Sequence, residues 1–396
     1  QQLEAAGGFV YLAEMMRNFV SNSSMGSYCQ IIRKHKALRA ILELTQNVNE
    51  MINASNKPEP SEVLSMIEDL SKEISTNASG KELRHISDAS GDWLDELQRR
   101  EESGGGILGL STGFNQLDEK LCGIGEESLV VIAGRPSMGK TLFTQAITQN
   151  VGIHQNKGGM FFSMEMSSNE LYERFISSVG NVSPSTLRGA RFNAEALGRI
   201  ETGVTAVDNS NIYFTDEPTQ SLGQIRAKAR KHKNKNPDLS LIVIDYLGFI
   251  EIDSGASRHD LAIAKITRGL KQLAKEIKVP IILIAQANRE TDKATRPTMS
   301  NIKDSSAIEA DADVIMFIHR EEVANPDTEL KGLTEIIIAK DRHNGGNGTI
   351  YLEKINGGFS ELTAEQAGAM QMREDARVNP PKEPKKRGFK QEERSF

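Results

Sequence analysis

Gly134-Arg135-Pro136-Ser137-Met138-Gly139-Lys140-Thr141 reads G-x-x-x-x-G-K-T, and the fold follows from it. An apolar run at 128–133 leads in as a buried strand, and Leu142, Phe143, Ala146 and Ile147 lead out at helical spacing. A Gly-rich loop between a strand and a helix is the context in which this motif cradles phosphate. The glycines let successive backbone N–H groups turn towards the anion, and the helix N-terminus adds partial positive charge. Lys140 is expected at the β/γ-phosphates and the Thr141 hydroxyl on Mg²⁺.

Working outward, strands and helices alternate from residue 108 to about 362, which predicts an α/β fold around a mostly parallel sheet. Strand candidates are 129–133, 160–164, 212–215, 241–245, 281–285, 314–318, 335–339 and 349–353. Four of them end in groups suited to phosphoryl chemistry. Leu241-Ile242-Val243-Ile244-Asp245 puts a carboxylate where it can hold the Mg²⁺ shell. Phe161-Phe162-Ser163-Met164-Glu165 offers a second carboxylate to polarise the attacking water, or to cap a helix. Ile282-Leu283-Ile284-Ala285-Gln286 ends in an amide that can sense the γ-phosphate without adding charge. Ile337-Ile338-Ala339-Lys340-Asp341-Arg342 ends in two cations, either a basic turn or a pair answering charge in a neighbouring subunit's transition state.

Composition narrows the class. The chain has 396 residues, 38% hydrophobic and 26% charged, enough to bury a core in two domains. Net charge is −6, so a nucleic-acid site must concentrate basic groups locally. Cys29 and Cys122 are the only cysteines, which argues against a disulfide framework and suits a reducing cytoplasm. The seven histidines are scattered, so no zinc site is expected. No apolar run approaches the roughly 18 residues of a membrane span.

Residues 1–50 read as helical. Phe9, Leu12, Met15, Met16 and Phe19 form one helical stripe, and Ile31, Ile32, Leu38, Ile41, Leu42 and Leu44 another. The region 51–106 reads as linker. It contains a break at 53–60, a short helix at 61–74, and an amphipathic helix at 92–102 with Trp93, Leu94 and Leu97. Such a helix must bury its stripe on its own domain or on a neighbouring subunit. Residues 363–396 are expected to be a disordered tail, with six basic residues after Asn379.

With these strand ends assembled, the chain resembles the DnaB-type replicative helicases, hexameric members of the RecA-like superfamily. The resemblance is carried by GRPSMGKT (134–141), FFSMEMS (161–167), LIVIDYL (241–247), ILIAQANR (282–289), SSAIEADADVIMFIHR (305–320), IIAKDR (337–342) and STGFNQLD (111–118). It covers about 1–362 and implies a ring that hydrolyses ATP with Mg²⁺, encircles single-stranded DNA and unwinds the duplex at the replication fork. Primase and a helicase loader are the implied partners, and the bacterial cytoplasm, or that of a host cell, the implied location.

The resemblance implies catalytic roles for Glu165, Gln286, Lys340 and Arg342, with Arg342 as a finger acting in trans. It implies nucleotide contacts from Ser137, Met138, Gly139, Lys140, Thr141, Leu142, Arg174 and Asp341, and metal contacts from Thr141 and Asp245. The 92–102 helix looks like the linker helix that docks on the next subunit. Residues 1–50 look like the end of a helical N-terminal domain whose beginning is missing.

DNA contact is expected at Lys303, Asp304 and Ser306. There the sequence reads Lys-Asp-Ser-Ser where Arg-Glu-Ser-Gly is usual in the family. Lysine keeps the charge and loses the bidentate fork. Two other readings are a strand-exchanging RecA-like filament, which the helical N-terminal region disfavours, and an inert ATP-binding scaffold, which Lys140, Glu165 and Asp245 disfavour.

Overall fold

A computed structural model describes residues 22–53, 63, 67, 85–102, 107–190, 192–251, 259–287, 296–302, 305–343 and 345–378. The expected helical stripe at 9–19, the break at 53–60 beyond residue 53, and most of the 61–74 helix lie outside these residues. Contacts divide the chain into two compact units, 1–98 and 99–396. The division falls inside a helix.

In the first unit, helix α1 (Asn22–Asn53) is 32 residues long, about 48 Å at the α-helical rise. It leaves Ile31, Ile32, Leu38, Ile41 and Leu42 exposed. Helix α2 (Ser90–Glu102) crosses the division and presents Trp93, Leu94 and Leu97 to solvent. These are the residues that make the stripe of the expected linker helix.

The second unit is built on nine strands in one sheet. In chain order its elements are α3 (Asn115–Leu121), β1 (Leu129–Gly134), α4 (Lys140–Gln149), β2 (Gly158–Ser163), α5 (Ser168–Val179), α6 (Pro184–Gly189), α7 (Ala194–Asp208), β3 (Ile212–Thr215) and β4 (Gln220–Ser221). Then follow α8 (Leu222–Lys235), β5 (Leu239–Asp245), β6 (Ile250–Glu251), α9 (His259–Ile277), β7 (Ile281–Gln286), α10 (Ser305–Asp311) and β8 (Val314–His319). The last are α11 (Glu321–Ala324), β9 (Leu333–Asp341), β10 (Gly348–Ile355), β11 (Gly358–Glu361) and α12 (Ala364–Val378).

The sheet order is β11-β10-β9-β8-β1-β7-β5-β2-β3, with β4 and β6 pairing apart. From β8 to β3 every pairing is parallel, and β9, β10 and β11 add antiparallel strands at one edge. The fold is therefore the mostly parallel α/β sheet expected. The sequence reading omitted β11 and the two-residue strands β4 and β6, which are too short to show a period.

Both faces of the sheet are covered, so the central strands are apolar throughout rather than alternating. Val130 and Ile132 of β1 pack with Leu117, Phe143, Ile147, Leu171 and Phe175 on one face. Leu129, Val131 and Ala133 pack on the other with Ile225, Ile263, Ile266, Leu270 and Ile308. The tail departs from expectation. Residues 364–378 are helical, because Thr363 and Gln366 exchange capping bonds at the N-terminus of α12 and Arg373 pairs with Glu329. Residues 379–396 lie outside the described region.

One buried carboxylate anchors the start of β1. Asp313, 1% exposed, accepts from the Leu129 backbone N–H at 2.8 Å and from Lys271 Nζ at 2.6 Å. Asp313→Ala leaves the mostly buried Lys271 ammonium with the Glu127 carbonyl and no counter-charge, and should lower stability by about 3–5 kcal/mol. A urea unfolding midpoint equal to wild type would overturn that expectation.

Candidate active site

Strand β1 delivers the phosphate loop to the edge of the sheet where β2, β5 and β7 also end. Gly134 pairs with Gln286, and Ser163 with Asp245, so these strand ends lie level. Together with α4, α5, α6 and the β10–β11 turn they enclose a cleft of ≈ 1110 Å³. Ser137, Met138, Gly139, Lys140, Thr141, Leu142, Glu165, Arg174, Asp245 and Gln286 all line it. Ten residues singled out from the sequence therefore meet in one place.

Gly139 has φ +100°, and an added Cβ would lie 3.2 Å from the Phe359 ring. Both the left-handed backbone and the close ring call for glycine at this position. Lys140 Nζ donates to the Arg135 carbonyl at 2.9 Å, which folds its ammonium over the loop. Burial pulls the Lys140 pKa below its usual range, while Asp245 and Glu165 act the other way.

The Thr141 hydroxyl donates to Asp245 Oδ2 at 2.7 Å. Burial pushes the Asp245 carboxyl up to about 6. The Thr141 bond lowers it, Glu165 raises it, and Lys140 and Arg174 lower it. A hydroxyl and a carboxylate in contact make a hard-oxygen donor set, and Mg²⁺ is typically held by one or two such groups plus substrate phosphates.

Arg174 is set by the N-terminus of α5. There Ser167 and Glu170 form a reciprocal capping box that fixes where the helix begins. Glu165 lies between the end of β2 and that cap, exposed at the mouth of the cleft. Tyr246, next to Asp245, has its pKa raised by burial and by the two carboxylates Glu165 and Asp245.

The cleft also holds cations that the sequence reading missed: Arg188, Arg320 and Lys354. Arg320 follows β8 and pairs with Glu322; the strand-end position after Val-Ile-Met-Phe-Ile-His was the signal for it. Lys354 stands beside a two-residue hairpin turn at Asn356-Gly357, a strong hairpin dipeptide. Gly357 has φ +68°, and an added Cβ would lie 2.6 Å from Ser177, so the turn is seated on the end of α5. Arg188 sits in a six-residue helix and carried no sequence signal.

The remaining expected residues lie elsewhere. β9 runs antiparallel to β8, so Asp341 is level with Val314, at the start of the parallel strands. Lys340, Asp341 and Arg342 are thus about one strand length, roughly 17 Å, from the phosphate loop of their own chain. Lys340 and Arg342 rest on carbonyls at the end of α10, Arg342 half exposed. Burial, and then Arg342 beside it, pull the Lys340 pKa below its usual range, while Asp313, Glu309 and Asp311 oppose this.

Asp341 lies with Lys340 and Arg342, away from the cleft of its own chain. Its carboxylate is buried and accepts from the His343 backbone N–H at 3.0 Å, so it shapes the turn after β9. Ser306 is exposed in the first turn of α10, and Lys303 and Asp304 lie outside the described residues.

A family model described as the DnaB-like helicase C terminal domain matches residues 109–359. The chain is 36% identical over 372 residues to the replicative DNA helicase DnaB of Buchnera aphidicola subsp. Baizongia pistaciae, covering 91% of this chain and 79% of that one. It is 33% identical over 359 residues to the DnaB of Geobacillus stearothermophilus, covering 90% and 78%. Among solved structures it is similar to a DnaB-like replicative helicase studied with its interactions with primase. That match has a TM-score of 0.66 and 29% identity, and covers 91% and 85% of the two chains. It is similar also to a separately solved ATPase domain, with a TM-score of 0.65 and 32% identity, covering 69% of this chain and 98% of that one.

Proposed function

This chain belongs to the DnaB-like helicase family and is an ATP-hydrolysing replicative DNA helicase, and from that premise we propose that it works as a homo-hexameric ring on single-stranded DNA. Its fold is the RecA-like ATPase fold. The observation that carries the active-site reading is the convergence of Lys140, Thr141, Asp245, Glu165 and Gln286 in one cleft, with Thr141 and Asp245 2.7 Å apart.

The loop N–H groups and Lys140 bind the β/γ-phosphates of ATP. Thr141 and Asp245 would hold Mg²⁺, and a bound Mg²⁺ would neutralise phosphate charge. Ser137, Met138, Gly139, Leu142 and Arg174 complete the nucleotide contacts. Glu165 takes the proton of the attacking water as its oxygen bonds to the γ-phosphorus, while the bond from that phosphorus to the β,γ-bridging oxygen breaks and ADP leaves with the electron pair. Gln286 touches the γ-phosphate. Lys340 and Arg342 reach a neighbouring subunit's cleft, a role supported by their distance from the cleft of their own chain.

Primase is the partner suggested by the related structure, a cytoplasmic location follows the bacterial relatives, and a helicase loader is the further partner that the family resemblance implies. Among the described residues no helix is long and apolar enough to cross a membrane. The direct test is strand displacement on forked DNA. ATP-dependent release of the displaced strand is expected, and DNA-stimulated hydrolysis without release would overturn the helicase reading.

Two variants test the assigned residues. Glu165→Gln keeps shape and removes the base, so turnover should fall roughly 10²–10⁴-fold with ATP and DNA still bound. Loss of ATP binding would instead assign Glu165 to the architecture of the site. Lys303→Ala should weaken binding to all single-stranded sequences alike and reduce the salt slope by about 0.7. An unchanged slope would mean that Lys303 does not touch the strand.

A further inference from the structure

Lys340 and Arg342 are held by the last turn of a short helix. The Lys340 ammonium donates to the carbonyls of Glu309 and Ala312, the latter at 2.8 Å. The Arg342 guanidinium donates to the Ala310 carbonyl at 2.8 Å, and its Nη1 lies 3.6 Å from Asp313 Oδ1. The Arg342 backbone N–H donates to the Asp313 carbonyl at 2.9 Å. Carbonyls left over at a helix C-terminus favour cations by charge and by geometry.

Helix α10 has only seven residues, too few to hold its own last turn firmly. Besides the Ala312 N–H bond to the Ile308 carbonyl, a side-chain bond from α9 ties this turn down. Thr267 Oγ1 donates to Asp311 Oδ2 at 2.6 Å, and Thr267 is fully buried. The same hydroxyl lies 3.3 Å from the Ala264 carbonyl, a longer contact with an uncharged acceptor. Arg268 faces Asp311 only at 3.9 Å and from a side chain 69% exposed, so it adds little. One turn further along α9, Lys271 pairs with Asp313.

We propose that Thr267 and Asp311 are positioning residues for Lys340 and Arg342 in ATP hydrolysis, acting by fixing the α10 carbonyls on which the two cations rest. This rests on the reading of Arg342 as the cation that meets the transition state. In that reading Arg342 meets the neighbouring subunit's nucleotide, and Thr267 and Asp311 act only through it. A guanidinium displaced by a fraction of its bond length still attracts ATP but misses the charge that appears only during transfer.

Thr267→Val keeps the buried shape and removes the donor. Its kcat should fall about 10- to 100-fold, the scale on which small misplacements act. KM and the affinity for a fluorescent ATP analogue should stay within about twofold, the pattern of an interaction made only in the transition state. Thr267→Ser should restore kcat. If Thr267→Val does not fold, Asp311→Ala, on the partly exposed side of the same contact, gives the same readout. An unchanged kcat, a parallel loss of affinity, or failure of serine to rescue would each overturn the proposal.

Direction is tested in mixed rings of Lys140→Ala and Arg342→Ala chains. Thr267→Val placed in the Lys140→Ala chain, which can only donate Arg342, should lower the recovered turnover. Placed in the Arg342→Ala chain, which can only supply the phosphate loop, it should leave turnover as it was. Equal loss in both overturns the positioning role. An unmodified mixture that recovers nothing, with subunit exchange shown, means either that Arg342 acts within its own chain or that every interface must be intact, and the kcat comparison then decides the positioning role.

Discussion

Lys140→Ala is expected to abolish ATP hydrolysis and, with it, strand displacement. Lys140 is the cation that the phosphate loop itself brings to the β/γ position, and its ammonium already lies against the loop carbonyl of Arg135 at 2.9 Å. The other cations of the cleft belong to different elements. Arg174 belongs to α5, and Arg320 follows β8 and is paired with Glu322. Arg188 belongs to α6 and Lys354 to β10, and none of the four can replace a charge that must sit within the turn of the loop. Phosphate release under saturating ATP and DNA measures the effect. Turnover like wild type would remove the foundation of the active-site reading.

Arg342→Ala should leave nucleotide binding nearly intact and lower turnover roughly 10³–10⁵-fold, the scale of an arginine finger supplied to a phosphoryl transition state. Within its own chain Arg342 sits at the start of the parallel strands, while the cleft lies at their other end. That separation supports the proposal that a neighbouring subunit uses it. Mixing Arg342→Ala with Lys140→Ala should therefore restore some turnover, because some interfaces pair an intact loop with an intact finger. The recovered rate should be small if a dead interface stalls a sequential ring. Native mass measurement must first show that subunits exchange. A full rate from Arg342→Ala alone would exclude the finger role.

The site was legible in the sequence wherever an apolar strand ended in a single polar group. Asp245, Gln286 and the phosphate loop each close a run of buried residues, so periodicity and the terminal residue together marked them. Glu165 stands two residues past the end of β2, close enough for the same signal to find it. Arg188 escaped because a six-residue helix has no readable period. Lys354 escaped because its position depends on how the β10–β11 turn seats against α5. Asp341 was singled out only through the family resemblance, and its contact with the His343 N–H is a tertiary fact that no local pattern marks. The 364–378 helix escaped because its cap and the Arg373–Glu329 pair are local details within a polar, weakly patterned segment.

By itself the sequence determined the α/β class, the phosphate loop and the strand ends that face it, because strand length, burial on both faces and loop chemistry are local properties. It could not determine strand order, and strand order decides the rest. Placing β1 between β7 and β8 brings Gln286 beside Gly134. Reversing β9 against β8 carries Lys340 and Arg342 to the far end of the sheet and onto the carbonyls of α10. Whether a strand runs parallel or antiparallel depends on which distant segments bury one another's faces. That choice is made only when the whole core assembles.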